Sequence, residues 1–148
     1  MNDTLTAPLD ELLATHAEAI RALLPDYLHH LVPFKVEQYG PLTKYTLGQL
    51  PDGRWAMLHR LTAADEGPPH DHPVQFESHI ISGGYRETIY RPGHPTHPFE
   101  DVDRRPGSCH FINPDCIHRI TGLPSGECWS LCFAGPVVRQ VSHYPELI

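Results

Sequence analysis

A chain of 148 residues is long enough for one domain with a real core, and its 40% hydrophobic content is that of a globular protein. Its formal net charge of −7, with no Lys/Arg cluster, excludes a nucleic-acid binder that tracks phosphates. No apolar run approaches a membrane span, and the start MNDTLTAPLDELL lacks the basic region of a signal peptide, so a cytoplasmic location without membrane partners is expected.

Residues 8–31 read as helix, with Thr6 or Asp10 as its cap. Leu9, Leu12, Leu13, Ala17, Ile20, Leu23 and Leu24 recur at helical spacing. Pro25 ends or interrupts the pattern and leaves DYLHHLV as a second short turn. The leucine-rich face must be buried, either on the rest of the chain or on another subunit, and a homodimer is expected.

From residue 34 the texture changes. FKVEQY, TKYTLGQL, RWAMLHRLTA, FESHIIS, YRETIYR, CHFI, HRITG and CWSLCFA are short, rich in β-branched and aromatic residues, and separated by Gly, Pro or Asp. Pro51-Asp52-Gly53 is a turn signal between two of them. About seven or eight strands at short spacing predict an all-β sandwich or barrel. Segment 92–107 (PGHPTHPFEDVDRRPG) reads as the longest irregular loop. The chain thus divides into a helical segment, 1–33, and a β-domain, 34–148.

The cysteines, Cys109, Cys116, Cys128 and Cys132, form no CxxC pair and read as free thiols in a reducing compartment. The i, i+4 spacing of Cys128 and Cys132 would suit zinc ligation from a helix, but ECWSLCF reads as a strand.

The chemistry concentrates in GPPHDHPVQFESHIISGG, residues 67–84. In a strand, residues i and i+2 share a face, so His70 and His72 project together while Asp71 turns away. Glu77 begins the next strand and reaches the same point if that strand pairs back. His118, after the Asn113-Pro114-Asp115 turn, is the candidate fourth ligand. Three imidazoles and a carboxylate suit Fe(II), Mn(II), Ni(II), Cu(II) or Zn(II), and leave two positions of an octahedron open. The competing reading makes the histidines polar loop residues. Glu77 is the least secure ligand, because a shift of its strand turns it outward and leaves a three-histidine site. His79 shares the parity of Glu77 and is a candidate acid–base group or hydrogen-bonding neighbour of the metal; an ordinary interior histidine is the alternative. Lys44, Tyr45, Trp55, Arg60, Arg86 and Trp129 are candidate pocket-wall residues.

His70-Asp71-His72, four residues, Glu77, six residues and Gly84 resemble the first motif of the cupins, small antiparallel jelly-roll β-barrels. Gly107, Pro114 and His118 follow the order of the second motif, with Cys116 where a glycine is usual. The resemblance spans residues 34–140. It implies a cupin barrel behind a short N-terminal helical segment, and metal ligation by His70, His72, Glu77 and His118. HDH, GGYRETIYR, INPDCIHRI and WSLCFAGP are further similar to the thiol dioxygenases, whose iron is held by three histidines matching His70, His72 and His118. The substrate-binding parts of that branch do not match: Leu47 stands where its carboxylate-binding arginine would be, Glu77 at its crosslinking cysteine, and Cys132 and Ala134 near its last-strand histidine and tyrosine. The expected function is therefore a non-haem Fe(II)-dependent dioxygenase acting on another small organic molecule. The alternatives are a non-catalytic metal- or small-ligand-binding cupin, and a metal-dependent isomerase or hydrolase with His79 as base.

Overall fold

The computed structural model describes residues 3–148. Helix α1 runs from Asp3 to Arg21. It begins earlier than expected: Thr6 and Asp10 lie inside it and not at its cap, and Pro8 is accommodated within its second turn. Residues 22–31 do not continue the helix. Pro25 leads into a short 3-10 turn, Asp26–Leu28.

The strands follow as β1 (Lys35–Tyr39), β2 (Leu42–Gln49), β3 (Trp55–Leu61), β4 (Phe76–Ser82), β5 (Tyr85–Tyr90), β6 (Phe99–Arg104), β7 (Cys109–Ile112), β8 (Ile117–Gly122) and β9 (Cys128–Ala134). The one not expected is β6, which lies inside the Pro-rich segment 92–107. It pairs only with β5 and is mostly exposed, so its sequence carries charges where a core strand would carry apolar residues. The paired strands are antiparallel and form a six-stranded sheet, β1-β2-β3-β9-β4-β7, and a three-stranded sheet, β6-β5-β8.

Alternation along the strands sorts side chains between two apolar regions. On the outer face of the large sheet, Tyr45 and Leu47 of β2, Ala56 and Leu58 of β3, and Trp129, Leu131 and Phe133 of β9 form a core with Leu9, Leu12 and Ile20 of α1. The leucine face of the helix is thus buried on its own chain, and each such side chain contributes about 2 kcal/mol. The Tyr45 hydroxyl donates to the Leu5 carbonyl and ties the first turns of α1 to β2. Between the sheets a smaller cluster holds Leu61, Ile80, Tyr85, Ile120 and Cys128. The rest of that interior is an open cavity.

The chain passes from the large sheet to the small one at Gly83-Gly84. Both have positive φ, +84° and +83°, and a Cβ on Gly83 would lie 1.9 Å from the Glu127 carbonyl oxygen. Only glycine serves there, because the backbone conformation and the close approach exclude a side chain together.

Candidate metal centre

A cavity of about 530 Å³, a size ordinary for small-molecule sites, opens between the two sheets. His59, Ser78 and Cys132 line it from the large sheet, and Tyr85 and His118 from the small one. At its mouth, residues 70–72 run beside residues 114–118. His70 N–H donates to His118 O and His118 N–H donates to His70 O, both at 3.0 Å, and His72 N–H donates to Pro114 O at 3.1 Å. His70 makes only isolated bridges and His72 none, so the pair stands on a short irregular stretch and not on the continuous strand expected. The cross-chain pairing nevertheless brings His70, His72 and His118 together, with one ring nitrogen of each within 4.8 Å of the others.

Hydrogen bonds fix two of the rings. His118 Nδ1 lies 2.7 Å from Glu87 Oε1, and His72 Nδ1 lies 3.0 Å from the Cys116 carbonyl. In each ring Nδ1–H donates to its acceptor, which leaves Nε2 with a bare lone pair. Those two Nε2 atoms face each other at 3.0 Å. Two lone pairs cannot bond one another, but two nitrogens at right angles about one ion, each about 2.1 Å from it, are about 3.0 Å apart. The donor set therefore fits a divalent transition ion. Burial, and then the neighbouring His118, lowers the pKa of His72 to about 3 and also depresses that of His70, which keeps both rings in the neutral form a metal requires.

Glu87 was not anticipated. It is 1% exposed, on β5, and its second oxygen accepts from Arg104 Nε at 2.7 Å. Burial alone would raise its pKa, but the hydrogen bonds and charges of His118 and Arg104 outweigh burial and hold it at about 2. The carboxylate thus stays ionised and sets the tautomer and direction of His118, the role such outer carboxylates play beside metal-bound imidazoles. The sequence signal was its parity with Tyr85 and Ile89 on one strand: a glutamate alternating with apolar residues points into the fold.

Asp71 is buried at 1% exposure, and its carboxylate is engaged by the segment that follows the last strand. It accepts from Ser142 N at 2.7 Å and Tyr144 Oη at 2.9 Å, and pairs with Arg139 at 2.8 Å. This places Val141 and His143 at the cavity, with the His143 ring 6.4 Å from that of His70.

Glu77 and His79 were expected at the same point and are not there. Phe76 and Ser78 of β4 line the cavity, so the intervening Glu77 and the next odd position, His79, turn to the outer face of the large sheet. Glu77 pairs there with Arg54 at 2.9 Å and with His79 Nε2 at 2.7 Å. The physical reason for the correction is strand parity: the buried serine between them takes the inward position. Of the candidate wall residues, Lys44 lines the cavity. Tyr45 and Trp129 lie under α1, Arg60 binds Glu127 over Trp129, and Trp55 and Arg86 are exposed. The four cysteines are free; Cys128 and Cys132 are buried in β9. His59 Nε2 and His110 Nδ1 are buried without a hydrogen-bond partner, and His59 lines the cavity.

No protein-family model and no curated protein sequence matches the chain. Solved structures do. The polyketide cyclase RemF from Streptomyces resistomycificus is 21% identical with a TM-score of 0.52, over 74% of this chain and 78% of the cyclase. The DMSP lyase DddQ from Ruegeria pomeroyi is 17% identical with a TM-score of 0.52, over 80% of this chain and 64% of the lyase. Streptomyces PAC13, solved with uridine, is 9% identical with a TM-score of 0.54, over 74% of this chain and 83% of that one. These likenesses establish the fold, and with the two-sheet topology they define a jelly-roll barrel of the cupin type. Among the described residues, no helix is long and apolar enough to cross a membrane.

Proposed function

We propose that the protein binds one divalent transition ion through His70, His72 and His118 and is a metal-dependent enzyme acting on a small molecule held in the barrel. The observation that carries this reading is the pair of Nε2 atoms facing each other at 3.0 Å beside a large cavity, with each ring's Nδ1 committed to an acceptor. Three neutral imidazoles leave three positions of an octahedral ion open, and they match the neutral donor set of the thiol dioxygenases; Fe(II) and oxygen chemistry is the favoured form. The metal would supply Lewis acidity and, as iron, a site for oxygen activation.

The chain's own residues divide the remaining work. Glu87 holds the His118 proton at Nδ1, and the Cys116 carbonyl holds that of His72. The wall around Phe76, Ile112 and Ile120 offers a substrate a largely apolar surface. His59, with its unpartnered Nε2, offers a polar contact to a substrate deep in the cavity. The isomerase or hydrolase alternative loses its base, because His79 lies on the other face of the sheet.

Metal analysis of the purified protein against His72→Ala and His118→Ala tests the ligands; unchanged metal content in both variants overturns the site. Oxygen uptake by the Fe(II)-loaded protein with a panel of small thiols, diketones and phenols tests the reaction. Uptake above the background of His118→Ala is the expected result, and none with any class rejects the oxygenase form.

A further inference from the structure

On the outer face of the large sheet, Glu77, His79 and Cys109 each direct one ligand atom into a group whose members lie within 4.8 Å of one another. Their convergence follows from the sheet itself. His79 of β4 and Cys109 of β7 are directly paired across the strands, and Glu77 lies two residues before His79 on the same face. The separations are 3.7 Å from Cys109 Sγ to His79 Nε2 and 2.7 Å from His79 Nε2 to Glu77 Oε2. A sulfur about 2.3 Å and a nitrogen about 2.1 Å from one tetrahedral zinc are about 3.6 Å apart, close to the spacing found.

From these positions we infer that Glu77, His79 and Cys109 form a second, thiolate-containing site for a zinc-like divalent ion, separate from the three-histidine centre across the sheet. Arg54 holds the other Glu77 oxygen, Oε1, at 2.9 Å and stacks over Phe133, so Oε2 stays aimed at His79. The fourth position faces solvent, since Cys109 is exposed. On binding, the ion replaces the hydrogen bond that His79 Nε2–H donates to Glu77 Oε2, the ring proton shifts from Nε2 to Nδ1, and the Cys109 thiol releases one proton to water. The alternative use of the same residues, an activated nucleophile, is disfavoured by the geometry: His79 Nε2 faces both Glu77 and Cys109, so the carboxylate cannot orient the ring from its far nitrogen. The softness of sulfur selects zinc or cobalt here, whereas the three-imidazole centre has no thiolate.

Titration of the metal-free, reduced protein with Co(II) tests the assignment, because cobalt–thiolate bonds give a near-ultraviolet charge-transfer band that cobalt–imidazole bonds do not. The expected result is such a band in the wild type, retained in His118→Ala and lost in Cys109→Ser, which lies on an exposed edge strand. Equilibrium dialysis against Zn(II) is expected to give two ions per chain in the wild type and one in Cys109→Ser. No thiolate band in the wild type, or a band that survives Cys109→Ser, overturns the site. Loss of the band in His118→Ala would instead place the thiolate at the three-histidine centre and equally overturn it.

Discussion

Glu87 Oε1 lies 2.7 Å from His118 Nδ1, and the pair is almost wholly buried, with side-chain exposures of 1% and 4%. An ionised carboxylate is costly in such a place unless it is fully bonded, and here Arg104 takes its second oxygen. The pair makes His118 a better electron donor and removes its freedom to flip. In Glu87→Gln the amide oxygen still accepts from Nδ1 but the charge is gone. Affinity for the ion at the three-histidine centre is expected to fall about 10- to 100-fold. Chelator competition measures it, and an unchanged affinity would show that Glu87 serves the fold alone.

The expected fourth ligand gives a contrasting prediction. In Glu77→Gln, retention of Fe(II) by the three-histidine centre is expected to stay within about twofold of the wild type. The partly exposed Arg54 pair it weakens contributes at most about 1 kcal/mol. Iron retention after gel filtration reads this out, and a loss above tenfold would bring Glu77 back to the centre.

The difference between these two glutamates shows what the sequence could convey. The i, i+2 spacing of His70 and His72 declares a shared direction whatever the strand does, and the turn at Pro114 placed His118 where it is found. For Glu77 the spacing from His72 is only a count along the chain, and the face is decided by which of Phe76, Glu77 and Ser78 the barrel takes inward. Glu87 looked like one more charge in YRETIYR, because its partners His118 and Arg104 come from β8 and β6. The strand pattern was legible at β1 to β5 and β7 to β9 because those runs are rich in β-branched and aromatic residues and are set off by Gly, Pro or Asp. It failed at β6, whose exposed edge carries no apolar face, and at the start of α1, which begins at Asp3, ahead of both expected caps.

Buried histidines set the acid limit. Burial lowers the pKa of His59 and His72 to about 3 and that of His110 to about 4, against an ordinary 6.5. Below pH 6.5 the unfolded chain therefore binds more protons than the folded one, so stability is complete above that value and declines as the pH falls toward the folded values. Glu87, held at about 2 against an ordinary 4.5, adds its own loss below 4.5. The urea midpoint of the metal-free protein is expected to drop steadily below pH 6.5, reflecting a loss of up to about 2 kcal/mol per buried ring by pH 5. A midpoint that rises on acidification would contradict the burial of these rings.

The crossover between sheets is the most sensitive backbone point. Gly83→Ala puts a methyl group against the Glu127 carbonyl at positive φ and is expected to destabilise by about 2 kcal/mol or more. Gly53→Ala also meets a positive φ, +93°, but open space, and should lose less. Urea denaturation of the two variants compares steric approach with backbone strain alone; equal losses would leave the close approach without effect.

Asp71 stands between His70 and His72, yet its side chain is committed to Arg139, Ser142 and Tyr144, far along the chain. The mouth of the barrel is therefore buckled by the segment that follows the last strand. Val141 and His143, which belong to neither sheet, line the cavity beside His70. A change of substrate range could arise by rewriting those few residues while Asp71 keeps the buckle fastened, leaving the barrel and its ligands untouched.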